Sequence, residues 1–569
     1  MSTMVERYLA RYGVLKAEKS NWLNMYQLLG EYVHYRKQNF TTTYSAGTFI
    51  VNDVYDSTAK RAANIMATML VGMLLPTGGK SFLFQPPEGL EITEEVKTFY
   101  DNATQITTNI MDDATAGLTV AMFEYMLDEV IFGTSGLGAF EKEEYPYILF
   151  KAWNVKSMYI DENADGRINV IFNEIEMTVR KAIEKYGLNA VSEEVRKNWN
   201  EGKEHEKIKV LHIIEELMPF ERKEGEKPVV SLHIEMGSNT VLKKSGFEEF
   251  PVFVVRFYKI MGDIQGGSPA IDVFPDILEV NAAEEIVTTG AEKLVEPPLG
   301  LIEGALGGDE LNTSRGAFNV FSPVGQIQPD KAVFPLYTVG DVRHLAEKTT
   351  RLRDNILNAF AIDRLLDLNN DTRMTLGEAQ IRDKMRGDSL GSIFARQEAE
   401  LLTPLINRVF NILLQKGIFG LIEGSEKEKG YILQGKKYKK VPKLIVSLIE
   451  NGEDVYTIKY ISPAKRMMHA EEIQGMLANM QFASEAAQVV PKIVDNLDED
   501  KMMRRMNELT GAKFSMLRSE EEVQKIRDDK QAQMEQMQKD EEERNRSETA
   551  RNVAQANAQN KNGYLGGEQ

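Results

Sequence analysis

Apolar residues recur at helical spacing on both sides of a Gly- and Pro-rich insert near the middle of the chain. Ser268 and Pro269 are a favoured helix cap and a favoured first helical residue, and Pro275 predicts a kink or a restart shortly after them. The run that follows is predicted to bury one face. Its apolar positions are Ile277, Val280, Ala283 and Ile286.

A second amphipathic run, residues 340–362, follows the insert. Its apolar positions are Val342, Leu345, Leu352, Ile356, Leu357 and Phe360. At about 1.5 Å per residue, each run gives a helix of roughly 30 Å. The insert, residues 297–339, contains short apolar runs that are typical of paired strands. The pattern therefore predicts a helical hairpin with a small unit at its tip. That unit is either a docking part or an ordinary surface excursion of an α+β protein.

The chain before the hairpin is predicted to be an α+β body. Helices are predicted over residues 5–37, 53–75, 93–114, 118–132, 179–186 and 192–200, with a strand over residues 81–86. A four-strand meander is predicted over residues 208–217, 228–236, 240–246 and 251–259. The aromatic residues of the first helix alternate with its apolar face, which favours a role in packing over a role in stacking on a ligand.

The chain after the hairpin returns to helices. Thr375 and Glu378 form a capping box at the start of a long helix that reaches residue 416. Gly387, Gly391 and Pro404 predict one or two bends in that helix. The remaining segments are a β-rich unit over 418–461, helices over 462–518, and a charged helix from 519 to about 556 with a disordered tail after it.

Composition narrows the class of protein. With 569 residues the chain is too long for one core, and 42% hydrophobic and 27% charged residues are ordinary for a water-soluble protein. The absence of cysteine excludes disulfides and thiolate metal sites. The first residues do not form a signal peptide, and the apolar run 65–75 is too short to cross a bilayer. These features predict a cytoplasmic place of synthesis and no membrane contact.

Two segments resemble ligand-binding motifs and are better explained otherwise. LLPTGGKS ends like a phosphate-binding loop, but Leu74 stands where that motif needs a glycine, and a helix precedes it instead of a strand. DENADGRI begins like a calcium loop, but Phe172 stands where the loop needs a bidentate acid. A hairpin turn between strands that end at Ile160 and begin at Ile168 explains the second segment.

No other pattern indicates catalysis. The six histidines are scattered without ligand spacing, and no nucleophile elbow or dinucleotide turn is present. The sequence therefore predicts no catalytic residue, no cofactor and no metal. A long chain without such chemistry, with a large hairpin and a long bracing helix, is typical of a structural component.

An ordered set of segments resembles a known family. In chain order, the segments are YDSTAKRAANIMATMLVGMLLP, VIFGTSGL, GGSPAIDVFPDI, LVEPPL, MTLGEAQIRDKMR and LTPLINRVF. They resemble the head-to-tail connector, or portal, family of short-tailed bacteriophages. The resemblance covers about residues 5–460 and is weakest in residues 299–336 and after residue 462.

The resemblance implies a mainly helical α+β portal protomer. Its parts would be an α+β wing (1–265), two stem helices (266–296 and 340–362), a small α/β clip (297–339), a channel loop (363–373), a long wing helix (374–417), the β-rich unit (418–461), helical crown (462–518) and C-terminal helix with tail (519–569).

The resemblance also implies an assembly and its partners. Twelve copies would form a ring at one capsid vertex, through which a separate terminase packages DNA and through which DNA is ejected. The implied protein partners are the major capsid protein, the scaffolding protein, the terminase large subunit and the tail or adaptor proteins. Double-stranded DNA would pass without specific binding. The expected location is the virion, after assembly in the host cytoplasm.

Two sets of residues carry the functional expectations. The channel loop would present Arg364, Asp367, Asn369, Asn370, Asp371, Thr372 and Arg373 to DNA. The clip would dock the terminase or the tail through Asp309, Glu310, Asn312, Arg315, Asp330 and Lys331. The loop is either a plain connection between two helices or a mobile element at the narrowest point of the channel, and both interpretations remain open.

The net charge of −18 indicates what kind of contact the protein can make with DNA. A protein that grips nucleic acid needs a basic surface, which this chain lacks overall. A strongly negative ring would instead disfavour adhesion of a passing duplex. The alternatives are an internal scaffold or core protein of a capsid and a packaging ATPase.

Overall fold

The structure is a computed structural model. It describes residues 2–35, 39–42, 54–76, 78–87, 93–295, 299–301, 333–335, 343–361, 390–423, 439–487, 498–510 and 520–563. Within these residues the protein is mainly helical with several antiparallel sheets, which confirms the predicted α+β class.

Four helices and a strand open the chain. They are α1 (Ser2–Tyr32), α2 (Thr58–Leu74), β1 (Phe82–Gln85), α3 (Glu94–Asp112) and α4 (Leu118–Phe132). The predicted elements are confirmed, although α1 ends five residues early and α2 begins five residues late. The side chain of Thr93 caps α3 by accepting a hydrogen bond from the Val96 N–H. Gly133 ends α4 with φ +78°, where a Cβ would lie 2.1 Å from the Gly266 carbonyl oxygen.

The aromatic residues of α1 pack into the hydrophobic cores, as predicted. Tyr8, Tyr12 and Tyr26 are buried. The Tyr8 hydroxyl donates to Glu215 Oε2 at 2.7 Å, and the Tyr12 hydroxyl donates to Glu174 Oε2 at 2.6 Å. These buried hydroxyls therefore have partners on the sheet that α1 covers.

The N-terminal part of the chain contains two larger sheets. One is a five-stranded antiparallel meander of β4 (Met158–Glu162), β5 (Ile168–Thr178), β6 (Lys207–Glu216), β7 (Val229–Glu235) and β8 (Thr240–Phe247). Two short helices, α5 (Val179–Tyr186) and α6 (Glu193–Asn200), lie between β5 and β6 in the chain. The other sheet has three strands in the order β3-β2-β9: β2 (Thr134–Glu141), β3 (Ile148–Trp153) and β9 (Val252–Arg256). The prediction that β9 continues the meander is wrong. All five β9 residues are buried. The edge strand β8 is partly exposed, so pairing with it would leave β9 less buried than pairing with β2 does.

A hairpin turn, not a calcium loop, connects β4 and β5. Ile160 and Ile171 are partners across this antiparallel pair. The Asn163 side-chain oxygen accepts from the N–H groups of Asp165 and Arg167. Gly166 has φ +76°. The predicted turn is confirmed.

The predicted hairpin is present. Short strands β10 (Tyr258–Lys259) and β11 (Gly266–Gly267) lead to α7 (Pro269–Asp272) and α8 (Phe274–Val295), and α9 (Arg343–Ala359) follows the insert. Ser268 caps α7, and the restart beside Pro275 occurs as predicted. The strands β12 (Leu299–Leu301) and β13 (Val333–Pro335) pair next to the two helices. The rest of the insert lies outside the described residues.

The described part of the long helix contains a π turn. Residues 390–397 are helical, Glu398–Leu402 is the π turn, and α10 (Thr403–Lys416) follows. Pro404 lacks an N–H and its ring would clash with the carbonyl four residues earlier, so a widened turn accommodates it. The predicted irregularity at Pro404 takes this form. The capping box and Gly387 lie outside the described residues.

The segment 418–461 differs from its prediction as a β-rich unit. It contains the helix α11 (Lys443–Asn451), and its strand β14 (Thr457–Tyr460) pairs with β1 from the other end of the chain. The helices α12 (Pro463–Met468), α13 (Ala470–Ala487), α14 (Glu499–Thr510) and α15 (Glu520–Gly563) follow. The helix α15 reaches Gly563, so the predicted start of disorder at Asn557 is wrong.

Candidate functional site: the helical hairpin and its root

The root of the hairpin is buried in a hydrophobic cluster shared with α1 to α4. The buried side chains are Phe274, Ile277 and Val280 from α8, Leu352 and Ile356 from α9, and Phe360 directly after α9. None of them is more than 6% exposed. Burying a large apolar side chain stabilises a fold by about 1.5–3 kcal/mol. The hairpin is therefore fixed at its root to the helices α1 to α4.

Four polar residues, which we call the root clamp, reinforce this attachment: Asp56, Asn281, Glu284 and Arg353. Arg353 Nε donates to Asp56 Oδ2 at 2.9 Å, and its Nη2 donates to Glu284 Oε1 at 2.8 Å. Asn281 Oδ1 accepts from the Tyr55 N–H at 2.7 Å. The clamp thus ties both helices to the segment that precedes α2.

The root clamp holds its arginine in the charged form. Burial acts to lower the pKa of Arg353, but hydrogen bonds and charges from Asp56 and Glu284 raise it overall. The Asp56 side chain is only 7% exposed. A carboxylate in such a place needs a paired cation, because burying an unpaired charge is costly.

Further along α8 the apolar pattern leaves the core. Ile286 was predicted to share the buried face, but it is 56% exposed. A helix turns about 100° per residue, so Ile286 lies about half a turn around α8 from Ile277, on the side that faces away from the core. Each step of three residues falls short of a full turn by about 60°, and three such steps carry the predicted face from the buried side to the exposed side.

A buried polar network lies between α4 and the π turn. Gln397 Nε2 donates to Glu129 Oε1 at 2.5 Å, and the Tyr125 hydroxyl donates to Gln397 Oε1 at 3.3 Å. Burial raises the pKa of Glu129 to about 8, although hydrogen bonds from Tyr125 and Gln397 act in the opposite direction. The folded protein therefore holds this carboxyl mainly protonated at neutral pH.

Two histidines that are distant in sequence meet in the five-stranded sheet. His212 on β6 and His233 on β7 are register partners, and their rings stack with centroids 3.9 Å apart. Burial lowers the pKa of both histidines, and the charges of nearby Lys185 and Lys243 act in the same direction on both. The pKa of His233 falls to about 3. The pairing depends on strand register, so sequence spacing alone did not reveal it.

The described residues contain no arrangement for metal or phosphate chemistry that we recognise. Within them, no group of three or more His, Cys, Asp or Glu side chains is placed to hold a metal ion. The glycines of LLPTGGKS follow the helix α2, whose last residue is Leu74, and the Gly79 N–H donates to the Pro76 carbonyl at 3.0 Å. This arrangement is a helix-ending turn, in agreement with the prediction.

The residues predicted for the channel loop and the clip cannot be placed. Arg364, Asp367 and the other loop residues, and Asp309, Glu310 and the other clip residues, lie outside the described part of the chain. Their roles remain predictions. Across the described ranges, none of the helices combines the length and apolar character needed to span a bilayer.

Two curated relatives match nearly the whole chain. The first is the "Probable portal protein" of Bordetella phage BPP-1, which is 23% identical over 527 residues, covering 90% of this chain and 88% of that protein. The second is the "Portal protein" of Salmonella phage epsilon15, which is 23% identical over 548 residues, covering 93% and 92%.

The family described as "Bacteriophage head to tail connecting protein" matches residues 5–517. This match includes the N-terminal helices and sheets, both hairpin helices with their buried root, the long helix and the first helices after it. The protein is thus a member of the bacteriophage head to tail connecting protein family.

Proposed function

We propose that this chain is the portal subunit of a tailed phage. Twelve copies form a ring at one vertex of the capsid, DNA enters and leaves through its central channel, and a separate terminase drives packaging. The observation that carries the proposal is the family match over residues 5–517. The two relatives named portal proteins, which match along most of their own length, support the same role.

The hairpin suits the stem of such a ring. Its root is buried in the wing and held by the root clamp, so the two helices project from a fixed base. Rigid, identical projections are what a ring of side-by-side subunits requires. In this assignment α8 and α9 are the stem, and the insert between them is the clip that docks the terminase and the tail proteins.

The charge of the chain fits a channel that does not hold DNA. A net charge of −18 per copy makes an assembled ring strongly negative. Retention of a duplex requires many cationic contacts with phosphate. In this proposal the channel loop supplies only Arg364 and Arg373, so contacts with DNA stay weak and sequence-independent.

The proposed role is structural, not enzymatic. The only candidate phosphate loop is a helix-ending turn, and the described residues bring together no metal-binding acids. In this proposal the motor activity belongs to a separate terminase. The remaining partners are the major capsid and scaffolding proteins, and the protein becomes part of the virion.

Imaging tests the proposal. Purified protein viewed by negative-stain electron microscopy should show rings with a central, stain-filled hole. Filaments, shells or single particles without a hole would contradict it, and shells would favour an internal scaffold or core protein.

A further inference from the structure

An apolar stripe runs along the outer side of α8. Leu278, Ala282 and Ile286 repeat every four residues, so they lie on one side of the helix. The buried positions Ile277 and Val280 lie on the opposite side. Leu278 is 38% exposed, Ile286 is 56% exposed, and Ala282 is exposed. We call these three residues the α8 stripe.

The outer side of α9 is polar. Glu347, Arg351 and Asp354, which we call the α9 face, are all exposed and repeat at helical spacing. They lie opposite the buried positions Leu352 and Ile356. The hairpin therefore has two different outer sides, one apolar and one polar.

Each outer side carries a charge that has no partner among the residues that the structure describes. Glu285 flanks the α8 stripe and Arg351 belongs to the α9 face. Neither forms an ion pair or a hydrogen bond with another described residue. By contrast, the inner charges pair across the hairpin, Glu279 with Lys348 and Glu284 with Arg353.

From these features we infer that the α8 stripe of one copy packs against the α9 face of the next copy in the ring, with Glu285 paired to Arg351 of its neighbour. The two faces lie on opposite sides of one hairpin and cannot meet within a chain. Two different, complementary faces are what a heterologous interface uses, and a heterologous interface closes into a ring.

The physical chemistry of the two faces agrees with this contact. The aliphatic stems of Glu347 and Arg351 can cover the α8 stripe while their charged ends stay in water. Arg351 is the cation of the α9 face and lies between the acids Glu347 and Asp354, so its pairing with Glu285 sets the register in which the two faces meet. This inference rests on the proposed ring.

A charge-reversal cycle tests the contact. Glu285→Arg and Arg351→Glu should each reduce the assembled fraction several-fold at low micromolar concentration and low salt, because each puts like charges together. The double variant should restore assembly. Glu194→Arg, a reversal of an exposed charge on α6, is the control and should assemble like the parent. Far-UV circular dichroism confirms that each variant is folded.

Covalent capture gives a second, independent measurement. The chain has no cysteine, so Glu285→Cys with Arg351→Cys introduces the only thiols. Oxidation of assembled protein should give a ladder of linked species on a denaturing gel that extends beyond dimer. Each single cysteine variant can give dimer at most, since it has one thiol per chain.

The results separate this inference from the proposed function. If the parent forms rings but both single reversals assemble like it and the double cysteine variant gives no ladder, the α8–α9 contact is wrong and the ring stands. If the parent forms no ring, both the proposed function and this inference fail. Loss of assembly in the single reversals, recovery in the double variant and a ladder support the contact.

Discussion

At the scale of single residues, the root clamp is where side-chain chemistry controls the position of a whole element. Arg353 connects the segment before α2 to both hairpin helices through Asp56 and Glu284. Removing its charge leaves the carboxylate of Asp56 buried and unpaired. The cost therefore includes the desolvation of that group, not only the lost hydrogen bonds.

We predict that Arg353→Met lowers the free energy of unfolding by about 2 kcal/mol, because it removes one partner of a partly buried ion pair. Urea denaturation followed by circular dichroism measures the effect. Arg222→Met, a change at an exposed arginine between β6 and β7, is the control and should change stability by less than about 0.5 kcal/mol. Equal effects of the two changes would mean that the root clamp does not stabilise the hairpin.

Glu129 gives a second prediction, on pH. Its pKa is raised to about 8 in the folded protein, so the unfolded chain loses this proton at lower pH than the folded chain does. Stability from Glu129 is therefore full at acid pH and falls as pH rises towards 8, with a maximal slope of about 1.4 kcal/mol per pH unit. Glu129→Gln removes this dependence.

The measurement compares unfolding free energies of the parent and Glu129→Gln between pH 5.5 and 8.5. Taking the difference between the two proteins cancels the contribution of His212 and His233, whose lowered pKa values act in the opposite direction. The difference should shift in favour of the Gln variant as pH rises. Glu124→Gln, an exposed position on the same helix, should give a flat difference. A flat difference for Glu129→Gln as well would contradict a raised pKa.

At the scale of elements, the sequence predicted those that depend on local signals. Ser268, Pro269 and Pro275 located the cap, the short helix α7 and the restart at α8, because capping and proline geometry act over a few residues. The turn between β4 and β5 was predictable for the same reason.

Elements that depend on distant partners were not predictable. The strand β14 pairs with β1, about 370 residues earlier in the chain, and β9 leaves the meander to pair with β2. Neither pairing has a local signature, since an apolar run fits several sheets equally well. The exposure of Ile286 was missed for a different reason: three steps of three residues from Ile277 end about half a turn away from it, so the two residues do not share a face.

The channel loop gives a prediction at this scale from its sequence. Asn369, Asn370 and Asp371 are turn-forming residues between two helices. Deleting residues 368–371 should leave ring assembly intact but impair packaging or retention of DNA, because the loop would no longer reach the channel centre. Particle yield and genome content in a complementation assay measure this. Normal packaging by the deletion variant would show that the loop is only a connection.

At the scale of the whole molecule, the proposed role predicts no nucleotide hydrolysis. The chain should show no ATPase activity above background, with or without DNA, because LLPTGGKS is a turn at the end of α2. A coupled-enzyme assay on purified rings measures this. Hydrolysis that Lys80→Ala abolished would show that the segment is a nucleotide site after all.

The central claim is that identical copies close into a ring. Size-exclusion chromatography with multi-angle light scattering tests it most directly, at micromolar protein concentration. The expected result is a single species of about 770 kDa, twelve times the 64.3 kDa chain, with no dependence on concentration, as a closed point group requires. A stable monomer or dimer, or a mass that grows continuously with concentration, would contradict the account.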